Sequence, residues 1–225
     1  ELEKLNSFTL TIESNGSYKA ISIPKKSVKT SSVLSNGKWV KIKINNSGIY
    51  KITYSELLSY GLSNISNVSV WGNGGAKLPY MNNIDSPDDL EQIPIYINKG
   101  IDGIFNQGDY ILFYAEGPMT WRYEEANDFF MHEINPYSSE AHYFLTTDYS
   151  SPLIIPDISS TTSPSTYQTS YYDALVAFEK NDTNLIKSGR DWYGESFDIY
   201  TTQHFDTKLS NPEENSTVKV RIRTS

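Results

Sequence analysis

The chain has 225 residues, enough to bury a core of ordinary size and to form one domain or two. Its 19 Lys and Arg stand against 27 Asp and Glu, a net charge of -8, which repels a phosphate backbone and argues against nucleic acid as a partner. The sequence holds no cysteine, so disulfides, thiolate nucleophiles and thiolate-ligated zinc or iron–sulfur sites are excluded within these residues.

The start, Glu1-Leu2-Glu3-Lys4, lacks the basic and apolar regions of a signal peptide. No apolar run approaches the roughly 20 residues that span a bilayer. Phe8-Thr-Leu-Thr-Ile12 and Tyr18-Lys-Ala-Ile-Ser-Ile23 flank Asn15-Gly16, the dipeptide that supplies positive φ in a tight hairpin. A polar connector follows, so residues 1–35 are expected to form a hairpin and a link. Lys38-Trp-Val-Lys-Ile-Lys-Ile44 alternates strictly, with Trp39 facing away from Val40, Ile42 and Ile44 as in a half-buried strand. Asn45-Asn-Ser-Gly48 turns the chain, and Ile49-Tyr-Lys-Ile-Thr53 returns. Thr53 with Glu56 three residues on forms a capping box for a short helix that Gly61 ends.

Strands are predicted at 67–71, 93–97, 109–114 and 141–147, with Pro94 placing the second at an edge or a strand end. Gly72-Asn-Gly-Gly75 breaks the first of them. These elements make 36–158 a β-rich domain. Residues 159–170 contain only Ser, Thr, Pro, Tyr and Gln, a linker or long loop. Beyond it, 174–178 suits a short helix or strand, 192–200 reads as a strand, and 217–224 alternates cleanly. The chain stops directly after that run, so 171–225 is expected to be the start of a second, truncated β-sandwich-like domain. The fold class is all-β, mainly antiparallel, with one or two short helices.

Catalytic groups are scarce. The three histidines, His132, His142 and His204, have no Gly-x-Ser-x-Gly elbow to serve. His132-Glu133 does not continue as a zinc-protease helix, because Pro136 occupies the place of the second ligand. Asp102, Asn106 and Asp109 alternate oxygen donors with glycines in a pattern that can wrap calcium. Phe113 stands where an EF-hand needs its bidentate Glu, so a tight turn between strands is the preferred reading. Asp85, Asp88 and Asp89 read as a solvated loop, and six Asn-x-Ser/Thr sequons as chance in an Asn- and Ser-rich chain. Trp39, Trp71, Trp121 and Trp192 are candidates for an exposed interaction surface, with core packing as the cheaper explanation. No catalytic, cofactor-binding or metal residue is assigned.

Gly37-Lys-Trp-Val-Lys-Ile, Ser47-Gly-Ile-Tyr-Lys-Ile-Thr-Tyr54, Trp71-Gly-Asn-Gly-Gly75 with Leu78-Pro79, and Gly108-Asp-Tyr-Ile-Leu-Phe-Tyr-Ala-Glu-Gly-Pro118 with Trp121 follow one another in order. The stretch 132–137, Tyr143-Phe-Leu-Thr-Thr147 and Ser188-Gly-Arg-Asp-Trp-Tyr-Gly-Glu-Ser-Phe197 complete the set. Together they resemble the N-terminal region of the type IX secretion system sortases, gingipain-like cysteine peptidases. The resemblance implies a cell-surface or outer-membrane setting in a Gram-negative bacterium and removal of C-terminal sorting signals from secreted cargo. It also implies, as partners, a downstream peptidase domain of the same polypeptide and secretion or outer-membrane proteins. The family's catalytic Cys and His belong to a downstream α/β domain, and no catalytic residue is carried over. The expected function is therefore a non-catalytic scaffold or docking region; the alternative is a free-standing adhesion module, with glycans as a candidate ligand.

Overall fold

Alternating sequence becomes alternating burial where the strands form. The computed structural model describes residues 29–81, 83–149, 151–159, 163–185, 187 and 191–224, and the hairpin expected within 8–23 lies outside them. The chain divides into two compact units, Glu1–Thr30 and Ser31–Ser225, and every described strand and helix belongs to the second.

Strand β1 (Val40–Ile44) turns its isoleucines inward and its lysines outward, and β2 (Gly48–Thr53) alternates likewise, with Tyr50 and Ile52 inward and Ile49 and Lys51 outward. Helix α1 (Tyr54–Ser59) starts at the predicted capping box: Glu56 N–H donates to Thr53 Oγ1 at 3.3 Å, and Thr53 N–H donates to Glu56 Oε2 at 2.7 Å. Leu57 is its buried anchor, and Gly61, at φ +70°, lets the chain leave. There follow β3 (Ser69–Gly72), β4 (Glu91–Ile93), β5 (Ile95–Asn98), β6 (Tyr110–Ala115), β7 (Met119–Glu124), β8 (Phe129–Ile134) and β9 (Ala141–Thr146).

The strands form three sheets, of order β1-β9-β3-β4, β2-β6-β5 and β7-β8, with every strand pair antiparallel. The all-β expectation holds, with one α-helix and three 3-10 turns among the described residues. Ile44, Val70, Tyr143 and Leu145 from the first sheet share one core with Ile52, Ile95, Ile111 and Phe113 from the second. Leu57, Leu62, Ile65 and Phe105 join that core from the helix and loops.

Two expectations are corrected, and one element is new. The strand read over 93–97 is two strands in two different sheets, divided at Pro94, whose missing N–H cannot serve a ladder. The β7–β8 hairpin was not foreseen; Asp128 at φ +46° closes its turn through the left-handed region, a role that Asp tolerates better than most residues. Residues 192–200 and 217–224 belong to no strand, and 174–178 is neither helix nor strand. Among the described residues of 171–224 the one bridge pairs Thr183 with Tyr193. Strand-like sequence is not sufficient without a neighbouring strand to accept its hydrogen bonds.

Phe113 lies between the rings of Tyr50 and Tyr143 at 6.0 and 6.3 Å, so Phe113→Ala is expected to cost about 3–5 kcal/mol in urea unfolding; a loss below about 1 kcal/mol would contradict this core. Thr53→Ala should cost about 1 kcal/mol through the lost cap. The Thr53 hydroxyl and amide hold the Glu56 carboxyl below its ordinary value of 4.5. A depressed carboxyl contributes stability that is complete above the unfolded value and is lost as pH falls through the folded one. Unfolding midpoints across pH 3–6 should therefore drop more steeply at the acid end for the wild type than for Glu56→Gln.

Candidate functional site

The glycine-rich motifs meet at one buried junction between the sheets. Tyr143, on β9, is 2% exposed and crosses from the first sheet to the end of β6 in the second. Its hydroxyl accepts from Glu116 N–H at 2.8 Å and donates toward Glu116 O at 3.3 Å. Burial pushes this phenol above its ordinary value, which keeps it neutral and able to donate.

The glycines make room for that crossing. A Cβ on Gly72 would fall on the Tyr143 ring, and one on Gly75 would lie 2.5 Å from the Gly117 carbonyl carbon and 2.7 Å from Ala141 Cβ. Gly117 in turn lies against the backbone of Asn46, 2.9 Å from where its Cβ would be. Ser47 Oγ accepts from Gly117 N–H at 3.0 Å and donates to Met119 O at 3.4 Å. Asn135 closes the junction: its amide donates to Gly75 O at 3.0 Å and its backbone N–H to Pro118 O at 2.9 Å. Four chain segments are thereby held at backbone distance.

From this junction the β7–β8 hairpin extends. Its register sets Met119, Trp121 and Tyr123 opposite Ile134, His132 and Phe130 on one face. Trp121 meets His132 at 5.5 Å and Tyr123 meets Phe130 at 5.1 Å between ring centroids. Tyr123 and Phe130 remain 47% and 40% exposed. His132 Nε2 is 2.7 Å from Glu179 Oε2, and on the opposite face Lys77 pairs with Glu133, a contact that raises the lysine's pKa.

The four tryptophans do not share a face. Trp39 and Trp71 come together edge to face at 5.9 Å, with Tyr149 5.1 Å from Trp71 and 5.8 Å from Trp39. Trp71 is buried, and its indole N–H donates to Ser69 Oγ at 3.0 Å. Trp39 donates to Asn36 O at 2.7 Å. Trp121 stands on the hairpin, and Trp192 lies in the strandless region at 40% exposure.

In the 102–109 loop, Asp102 Oδ1 accepts from Ile104 N–H at 3.0 Å and Oδ2 from Asn106 Nδ2 at 2.8 Å. Asp109 Oδ2 accepts from Asn106 N–H at 2.8 Å. These bonds organise the turn from β5 into β6, with Gly100, Gly103 and Gly108 all at positive φ. Among the described residues no three His, Cys, Asp or Glu side chains form a metal-holding group. His142 is 3.8 Å from Glu140, and it lies on β9 while His132 lies on β8, in another sheet. At the junction the Tyr143 and Ser47 hydroxyls are engaged with backbone groups. The junction's glycines were legible as turn signals; Tyr143 was not, because nothing in an alternating strand marks which aromatic bridges two sheets.

No protein-family profile matches the chain, and no curated protein does. A solved structure does: dimeric latent PorU from Porphyromonas gingivalis is 34% identical, over 74% of this chain and 14% of that one, with a TM-score of 0.58. The chain is thus similar to a small part of a much longer protein.

Tyr143→Phe leaves the Glu116 N–H without its acceptor and should lower stability by about 1–3 kcal/mol. Gly72→Ala should cost a similar amount, about 1–3 kcal/mol, by forcing the ring aside. Denaturant unfolding of both variants tests this; neutrality of the pair would mean that the crossing is not a structural constraint.

Proposed function

We propose that this chain is a non-catalytic, β-rich N-terminal scaffold or docking region of a gingipain-like cysteine peptidase that serves as a type IX secretion sortase. The observation that carries the reading is the 34% identity to PorU over 74% of this chain. In support, the motifs Trp71-Gly-Asn-Gly-Gly75, Ala115-Glu-Gly-Pro118 and Asn135-Pro-Tyr137 supply the contacts of one junction, a reason for them to occur as a set. Residues 36–158 would form the scaffold, 159–170 a connector, and 171–225 the first part of a second β-sandwich. The nucleophile would come from a peptidase domain downstream in the same polypeptide, since these residues hold no thiol. The partners would be that domain and proteins of secretion or the outer membrane, at the surface of a Gram-negative bacterium.

The adhesion-module alternative draws on one observation, the exposed Tyr123–Phe130 pair on the hairpin. The gene and its product separate the two. The expected result is an open reading frame that continues into a Cys-containing α/β domain, with cleavage of sorting signals by the complete polypeptide and none by the 225 residues alone. A gene that ends here, with glycan-array binding abolished by Tyr123→Ala and Phe130→Ala, would replace the scaffold reading with the adhesion one.

A further inference from the structure

In an Asn-Gly dipeptide the glycine amide reaches the asparagine side chain with little hindrance, because no Cβ stands in its way. The sequence holds three such pairs, at Asn15, Asn36 and Asn73, and the first lies outside the described residues. The other two asparagines are exposed, and their glycines are alike in backbone, with φ +82° at Gly37 and +77° at Gly74. They differ in what holds the side chain. Asn73 is engaged at both ends of its amide: Nδ2 donates to Asp89 O at 2.8 Å, and Oδ1 accepts from Glu91 N–H at 3.0 Å. Among the described residues the Asn36 amide makes one hydrogen bond, from Nδ2 to Ser35 Oγ at 3.3 Å, and Gly37 N–H makes none.

We propose that Asn36 is a site of spontaneous deamidation and isomerisation, and that the fold protects Asn73 from the same reaction. Gly37 N loses its proton and bonds to Asn36 Cγ; the Cγ–Nδ2 bond breaks, and ammonia leaves with the proton. Water then opens the cyclic imide. Addition at Cγ yields aspartate at position 36, and addition at the main-chain carbonyl yields isoaspartate, in which the main chain runs through Cβ and Cγ and is one carbon longer. The surrounding segment is fixed on either side of that change. Ser32 Oγ and Val33 N–H each donate to the Asp89 carboxylate at 2.8 Å, and Lys38 N–H donates to Asp148 Oδ2 at 2.7 Å. Between these anchors Trp39 Nε1–H donates to Asn36 O at 2.7 Å, the carbonyl that isoaspartate removes from the main chain. The new carboxylate also arises next to Gly37, where a Cβ would lie 3.5 Å from Asp148 Oδ2, and the two like charges repel. Isoaspartate at position 36 therefore frees Trp39 from its place beside Trp71 and Tyr149.

Peptide mapping of the purified protein aged in mildly alkaline buffer, folded and in urea, tests the proposal. In urea Asn36 and Asn73 should convert at comparable rates, since both precede glycine. In the folded protein Asn36 should convert roughly tenfold or more faster than Asn73, whose side chain must first give up two hydrogen bonds. Isoaspartate should accumulate at position 36 while tryptophan emission moves to longer wavelength, and Asn36→Gln should abolish both changes. Equal rates at the two sites in the folded protein, or faster conversion of Asn73, overturn the proposal. Isoaspartate at position 36 with unchanged emission overturns the release of Trp39.

Discussion

The structure depends on one aromatic ring passing between two sheets. Tyr143 reaches the end of β6 only because Gly72 has no side chain to meet its ring, and its hydroxyl then serves both backbone groups of Glu116. A phenol so placed fills volume and satisfies polar groups at once, which a phenylalanine or a smaller polar residue does not. Around it Gly75, Gly117 and Asn46 approach at backbone distance, so the relative position of the sheets is set by contacts that leave little freedom. The hairpin inherits that position through Asn135.

Outside the junction the two main sheets differ in how their outer faces are treated. Over the first, Trp71, Trp39 and Tyr149 form a packed aromatic patch with the indole N–H groups satisfied, so β3 is buried on both sides. On the second, Ile49 and Tyr114 stand opposite each other and exposed, with Lys51 4.1 Å over the Tyr110 ring. Aromatic composition alone did not separate these cases; a cross-strand neighbour decides whether a ring is core or surface.

Most of the β-rich core was legible in the sequence, and for reasons that can be named. The lysine–isoleucine alternation of β1, the Thr53–Glu56 box and the glycines that end α1 and β3 are local signals, and each acts where it is written. Pro94 announced a strand end but not that the chain would change sheets there, since sheet membership is a long-range property. The hairpin strands β7 and β8 were missed because their mixed burial, with glutamates and an arginine among aromatics, weakens the alternation. The strands expected beyond residue 170 failed in the opposite sense: 217–224 alternates cleanly, but no described strand pairs with it.

The division of β4 from β5 at Pro94 has a topological meaning. Ile95, immediately after the proline, pairs with Phe113 in β6, while its N–H donates to Leu153 O at 2.8 Å and its carbonyl accepts from Ile155 N–H at 2.9 Å. The segment that follows β9 therefore meets the fold at the residue where the chain passes from one sheet to the other. The attachment is an isolated parallel bridge of two hydrogen bonds, so the chain that leaves the first sheet after β9 is fastened directly to the first residue of β5 in the second.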